Sequence, residues 1–484
     1  MRGGLLLLVV WTVLTCIQAG RLDYWGDEIG SLEGASESTG DILRGKGADF
    51  HPPLYFLILH GWIRLFGYGE YAVRSLSVLA AAATILLTVS LARVVGVTRP
   101  GTAAVFLGLS PFWLLFCGMA RYYGLSALVF VATLLTFVFA LRRDSATRWV
   151  LNGFMLALAG YTNYLTLAAA FVTQMVWVVA YHRRCVLRWA AATMLAAVFL
   201  APLAALVLHQ TRGMILWGER ASFFGDWRTA VWGACYPLYV LAASETILPW
   251  HWWFSVPLLA SSWFLVLRAR RPPLLQVTLA SGVVVSLLVV SLVARSLPLA
   301  YLPSRLLFLA PVWAVLLAAG AQRVGKWGVV ALAGVALGYA GGIVNLVRGV
   351  DFHNPAYVVP WRQVVQLIRD DTEPDKLVVT TEEYPLLHYG QGLRFQLVRP
   401  GERTTEELAG KAAAVVWLVQ RDRADQQRHD ITFDAEAWLR EHYDTGPEHE
   451  FVRLASLERQ VRRLVLRREP SEAALTVTRF TRPW

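Results

Sequence analysis

Charge is the scarcest property of this 484-residue chain: Asp, Glu, Lys and Arg together make up 16% of it, where a soluble globular domain carries about 25%. Lysine accounts for only four of the 45 basic residues, so the formal net charge of +11 is an arginine charge and gives no ground for a nucleic-acid partner. Ionisable residues are almost absent from the long apolar runs, which counts against a transporter or flippase, whose pathway needs such residues inside the spans. The four cysteines, Cys16, Cys117, Cys185 and Cys235, lie in or beside apolar segments without CxxC spacing. That pattern gives no metal site and leaves them as small buried hydrophobes.

What the chain does have is hydrophobic length. It is 56% hydrophobic, with 20 Trp, and many of its apolar runs approach the roughly 20 residues a helix needs to cross about 30 Å of hydrocarbon. The first run ends at Gly20; it reads as a retained helix rather than a cleaved signal peptide, because no small-x-small site precedes the acidic pair Asp27-Glu28. Further runs at 70–92, 102–117, 124–141, 149–162, 164–181, 189–208, 253–267, 275–294, 304–320 and 327–347 bring the expectation to eleven membrane helices. The basic residues fall in alternate connections: Arg93 and Arg99; Arg142, Arg143 and Arg148; Arg183, Arg184 and Arg188; Arg268, Arg270 and Arg271; Arg323 and Lys326. By the positive-inside bias these mark the cytoplasmic face, with the N-terminus inside. The stretch 149–181 decides the orientation, since two short spans broken at Tyr161-Thr162-Asn163-Tyr164 preserve the alternation and one long span inverts everything after it.

This reading divides the chain into a transmembrane part, 1–348, with a first outer loop at 21–69, and an extracytoplasmic part, 349–484. Within the outer loop, 29–44 is a candidate surface helix and 52–66 an apolar one stopped by Gly67; a second outer insertion, 209–252, holds Glu219, Arg220, Asp226 and many aromatics. Beyond 350 charge returns and the apolar runs shorten to strand length. Strands are expected at 377–381, 395–398, 413–419, 451–457 and 461–466, and helices at 361–369, 405–410 and 435–442, a small α/β module.

The polar stretch 24–57 stands out, because it places Asp27-Glu28 just past the first apolar run and re-enters apolar sequence at His51-Pro52-Pro53-Leu54-Tyr55. With it come Trp25-Gly26, Gly69-Glu70-Tyr71-Ala72-Val73-Arg74-Ser75-Leu76-Ser77, Ala120-Arg121-Tyr122-Tyr123-Gly124-Leu125, Gly160-Tyr161-Thr162-Asn163-Tyr164 and Pro303-Ser304-Arg305-Leu306-Leu307-Phe308. In order and spacing these segments resemble the GT-C superfamily of membrane glycosyltransferases that use polyprenyl-phosphate sugars, in the branch related to protein O-mannosyltransferases and the lipid A aminoarabinose transferase. The resemblance covers about 1–348. It implies a transferase of the inner membrane whose partners are a polyprenyl-phosphate-linked donor, membrane lipids and a hydroxyl acceptor, the acceptor and the sugar being left open.

On that resemblance Asp27 is the base, and Glu28 steers the acceptor or holds a divalent cation. The chemistry agrees: a sugar on a lipid phosphate already carries a good leaving group, so the reaction chiefly needs one carboxylate to take the proton of an attacking hydroxyl. Without the resemblance, an acidic pair here is a solvated loop start. The outer connections between spans are poor in basic residues, so Arg121 and Arg305 are the candidates for the leaving phosphate, which arginine binds bidentately; the bland reading of each is a cation snorkelling at a helix end. His51 is read as a phosphate donor, as a metal ligand with Glu28, or as a turn cap. Tyr122 is grouped with the phosphate site and Tyr161, Asn163 and Tyr164 with the acceptor, the tyrosines having interface anchoring as their plainer role. A transporter for a lipid-linked glycan and an inactive envelope scaffold are the competing readings.

Overall fold

The computed structural model describes residues 2–45, 51–208, 210, 235–236, 238–269, 273–293, 303–380, 382–397, 413–421, 434–466 and 471–483. The expected helix at 405–410, most of the insertion 209–252 with Glu219, Arg220 and Asp226, and Arg270 and Arg271 lie outside the described residues. The chain forms two compact units: one is Met1–Arg21 with Ser31–Arg348, the other Leu22–Gly30 with Gly349–Trp484.

The first unit is helical. After α1 (Arg2–Gly20), the helix α2 (Gly26–Ser36) begins with residues of the second unit and ends with residues of the first, and α3 (Thr39–Leu43) and α4 (Leu54–Phe66) follow. Then come α5 (Glu70–Val94), α6 (Gly101–Gly108), α7 (Pro111–Cys117), α8 (Tyr123–Arg143), α9 (Ala146–Thr162), α10 (Tyr164–Tyr181) and α11 (Val186–Leu200). The unit closes with α12 (Trp252–Arg268), α13 (Pro273–Val293), a 3-10 helix (Pro303–Leu309), α14 (Ala310–Ala321) and α15 (Gly325–Arg348). Among the described residues, five helical segments are long and apolar enough to cross a membrane: Glu70–Val94, Tyr123–Arg143, Tyr164–Tyr181, Pro303–Ala321 and Gly325–Arg348. Large apolar side chains such as Leu5, Leu6, Leu7, Trp327 and Val329 face outward, as a lipid-facing surface requires.

Gly4–Gly20, Leu54–Phe66 and Pro273–Ser286 are shorter apolar helices, and two of the expected runs are interrupted. The run 102–117 is two short helices, because Ser110 caps a new helix by accepting from the Trp113 N–H and Pro111 occupies its first position, a pairing that starts helices and cannot continue one. The run 189–208 likewise breaks after Leu200, in a turn that contains Pro202. The expected break within 149–181 is present: Asn163 is extended and accepts from the Leu165 N–H through Oδ1, ending α9 and starting α10. Small residues set the closest helix contacts. A methyl group on Gly124 of α8 would lie 2.8 Å from the Ser77 carbonyl of α5, the kind of approach that lets membrane helices pack backbone to backbone.

Among its described residues the second unit holds a five-stranded mixed sheet in the order β2-β1-β3-β5-β4, with β1 (Lys376–Thr380) parallel to both β2 (Phe395–Leu397) and β3 (Val415–Arg421). The strand β5 (Ala473–Thr481) runs antiparallel to β3 and to β4 (Asp444–Arg453). Alternation of β1 and β3 feeds two cores. One holds Val378, Trp417 and Val419 with Val364, Val365 and Ile368 of α16 (Trp361–Arg369); the other holds Leu377, Val379 and Leu418 with Leu439 of α18 (Asp434–His442). Between β1 and β2 lies α17 (Glu383–Tyr389). The sequence expectation of a strand at 461–466 is wrong: these residues complete α19 (Ser456–Leu466), where Leu457, Val461 and Leu464 recur at helical spacing among arginines. The strand expected at 451–457 overlaps only the end of β4, and β5, which joins the two halves of the sheet, was not anticipated.

Candidate functional site

Two stretches of the structure carry the candidate residues. In the helical unit His51, just before α4, lies against Arg121 at the start of α8. Arg121 Nη2 lies 3.0 Å from His51 Nε2, and Arg121 Nη1 donates to Ser31 Oγ at 3.0 Å. Both side chains are buried. The Tyr122 ring lies 4.5 Å from the imidazole and 5.7 Å from the Arg121 guanidinium, centroid measured. The backbone of Arg121 is held as well, since its carbonyl accepts from Ser77 Oγ at 3.2 Å. On the other side of His51, its carbonyl accepts from Gln210 Nε2 at 3.1 Å, and Gln210 Oε1 accepts from the Tyr164 hydroxyl at 3.0 Å.

Burial pushes the His51 pKa well below the usual imidazole range, and the positive charges of Arg121 and Arg305 push it further. The imidazole is therefore neutral at neutral pH. Arg305, half-buried in the 3-10 helix Pro303–Leu309, thus acts on the same locus as Arg121. The Arg121 and Arg305 guanidinium groups thus act on one imidazole, and arginine offers the planar fork of donors that a phosphate group accepts from.

The acidic pair belongs to the other compact unit. Asp27 and Glu28 occupy the first turn of α2, where backbone N–H groups lack intrahelical partners and negative charge is favoured. Glu28 is buried, and its Oε2 accepts from the Trp25 N–H at 3.3 Å, the return arm of a capping box that fixes where the helix begins. The chain just before is pinned by its own unit. Asp23 accepts from the Arg362 backbone N–H at 2.9 Å and from Arg362 Nη1 at 2.8 Å, and the Tyr24 N–H donates to the Tyr389 hydroxyl at 2.7 Å.

Of the sequence candidates, then, the structure brings His51, Arg121, Tyr122 and Arg305 together, and Tyr164 joins them through Gln210. Tyr161 points elsewhere, donating to the Phe199 carbonyl of α11, and Asn163 spends its side chain on the helix break. Among the described residues no group of three His, Cys, Asp or Glu side chains is placed to hold a metal ion. Ser31, Ser77 and Gln210 were not candidates from the sequence. Ser31 had a local signal, one helical turn after Asp27; Gln210 had none.

Comparison with known proteins bears on the fold. A family model described as dolichyl-phosphate-mannose-protein mannosyltransferase matches residues 50–209. The chain is similar to the crystal structure of ArnT from Cupriavidus metallidurans in the apo state, at 14% identity and a TM-score of 0.57, covering 99% of this chain and 98% of that one. It is similar to the same protein bound to undecaprenyl phosphate, at 13% identity and a TM-score of 0.56, over 98% of each chain. No curated protein sequence matches the chain. The chain shares the fold of ArnT over nearly its whole length, C-terminal sheet module included.

Proposed function

We propose that this chain transfers a sugar from a polyprenyl-phosphate carrier to a hydroxyl acceptor on the extracytoplasmic face of the inner membrane, with Asp27 as the base. The observation that carries the reading is the buried Arg121–His51 contact under the field of Arg305, a phosphate-type site on a fold shared with a protein crystallised with undecaprenyl phosphate.

In this reaction the Asp27 carboxylate accepts the proton of the acceptor hydroxyl as its oxygen bonds to the anomeric carbon. The bond from that carbon to the phosphate oxygen breaks, and its electron pair leaves on the polyprenyl phosphate. Arg121 and Arg305 take up the charge that develops there, so this reading assigns them the work a divalent cation would do elsewhere. Neutral His51, whose Nε2 faces Arg121, orients the guanidinium. Glu28 fixes the start of α2 and through it the setting of Asp27. Tyr122 packs on the Arg121–His51 pair, and Tyr164 braces the His51 backbone through Gln210.

Asp27→Asn tests the assignment, because the amide keeps the shape and cannot take the proton. Loss of a general base costs about 10²–10⁴-fold in rate, so the purified variant, normally folded and inserted, loses turnover of undecaprenyl-phosphate sugars. Near-normal turnover would sink the role of Asp27.

A further inference from the structure

The candidate base lies in a segment that is part of the C-terminal unit, although some 320 residues separate it from the rest of that unit in sequence. Three consecutive residues before α2 are each held by a different element there. Asp23, nearly buried, is gripped at both oxygens by Arg362, through its backbone N–H and through Nη1. Tyr24 donates its N–H to the Tyr389 hydroxyl and meets His388 edge to face, with ring centroids 5.6 Å apart. Trp25 packs against Tyr357 at 4.8 Å. The grips are linked to one another, since the Arg362 guanidinium lies 5.3 Å over the Tyr389 ring.

An exposed ion pair ordinarily contributes little to stability, and Arg362 is 53% exposed. A two-point contact on a single carboxylate does something else: it fixes direction as well as distance. Proton abstraction needs the base within hydrogen-bond reach of the hydroxyl, and a misplacement of about 1 Å can cost on the order of a hundredfold. We propose that Arg362 and Tyr389 are positioning residues for this transferase: by clamping Asp23 and Tyr24, the C-terminal module sets the start of α2 and hence the carboxylate of Asp27. The inference rests on the reading of Asp27 as the base. It gives the module a catalytic purpose that does not depend on which acceptor is used.

The test uses the full-length protein in lipid nanodiscs, as wild type, Arg362→Ala, Arg362→Lys, Tyr389→Phe and Asp27→Asn. Hydrogen–deuterium exchange is read over residues 23–30, and turnover is read with the undecaprenyl-phosphate sugar, from a panel of hexoses and pentoses, that the wild type uses. In Arg362→Ala the clamp predicts exchange over 23–30 at least about tenfold faster, while exchange of the sheet residues stays as in wild type. It predicts a fall in kcat of about ten- to a hundredfold with the donor KM unchanged, because Arg121 and Arg305, which this reading assigns to the phosphate, lie in the other unit. Arg362→Lys recovers part of kcat, which mere loss of folded protein would not explain, and Tyr389→Phe removes the hydroxyl that accepts from the Tyr24 N–H and shows the same split more weakly. Unchanged exchange in Arg362→Ala and Tyr389→Phe, or faster exchange at wild-type kcat, overturns the clamp. An inactive Asp27→Asn beside fully active clamp variants removes the clamp and leaves the base standing; an active Asp27→Asn removes the base, and with it the object of the clamp.

Discussion

Arg121 and His51 meet at 3.0 Å, guanidinium to imidazole Nε2, in a buried setting. A guanidinium only donates and stays protonated, so His51 Nε2 is the acceptor and the imidazole proton resides on Nδ1. One contact thereby sets both the tautomer of the histidine and the aim of the arginine.

The donor site follows from that geometry. Arg121→Lys and Arg305→Lys keep the net charge and lose the fork, so both remain impaired where a simple requirement for charge would be met. A hydrogen bond to a charged group contributes about 1.5–3 kcal/mol, and about 1.36 kcal/mol is tenfold in rate. The expected loss is therefore about ten- to a hundredfold in kcat/KM for the polyprenyl-phosphate donor, with the acceptor KM little changed. Wild-type donor kinetics in both alanine variants would reduce these arginines to helix-end anchors.

Histidine 51 carries a pH signature. Its pKa is depressed in the folded protein, first by burial and then by Arg121 and Arg305. The group is therefore neutral above the ordinary value of about 6.5, and what it contributes is lost only as pH falls through the lower, folded value. The pH–rate profile of the wild type shows no step from this residue near 6.5. His51→Gln, which retains an acceptor oxygen, keeps the shape of the profile, and His51→Lys, a second cation against Arg121, is inactive. A step near pH 6.5 in the wild type that disappears in His51→Gln would contradict the arrangement.

In the C-terminal unit, Asp371 accepts from Arg479 Nε at 2.8 Å and from Trp417 Nε1 at 3.0 Å. Burial pushes the carboxyl pKa up, but the bond from Arg479, the Glu373 N–H, the Arg479 charge and the Trp417 N–H outweigh it, and the result lies below the usual carboxylate range. A depressed carboxyl stabilises the fold above the unfolded value of about 3.9 and gives up that stabilisation as pH falls through the folded value. Thermal unfolding of the full chain should hold level between pH 8 and 5 as far as this group is concerned and turn down below about pH 4. Asp371→Asn lowers the neutral-pH midpoint by several degrees, at about 2–4 °C per kcal/mol, and flattens the acid limb. An unchanged acid limb in that variant would show that other groups cause it.

Orientation is tested by cysteine labelling. Thirteen basic residues fall in alternate connections, and the break at Asn163 that the alternation requires is present. Asp375→Cys is expected to react with a membrane-impermeant maleimide from the extracytoplasmic side. Labelling only after the inner membrane is permeabilised would invert the topology.

Much of this architecture was legible in local sequence, because hydrophobic length, helix breaking and strand alternation are free-energy differences decided within a few residues. The break at Asn163 and the strands β1, β2 and β3 are of that kind. The error at 461–466 came where a local signal was ambiguous: Val461 and Leu464 fit either a strand or the amphipathic face of α19. The break that Ser110 and Pro111 make in the run 102–117 was likewise not anticipated.

The sequence by itself determined a helical membrane part, a charged module after it, and which side chains had chemistry to offer. Tertiary structure alone decided which of them meet. His51 reaches Arg121 across 70 residues and Gln210 reaches His51 across 159, while Asp23 finds Arg362 across 339 and so draws the acidic pair into the C-terminal unit. Burying a charge or a polar group is costly unless a partner satisfies it, and that partner can stand anywhere along the chain. Such pairings leave no periodicity to read, and only the folded protein displays them.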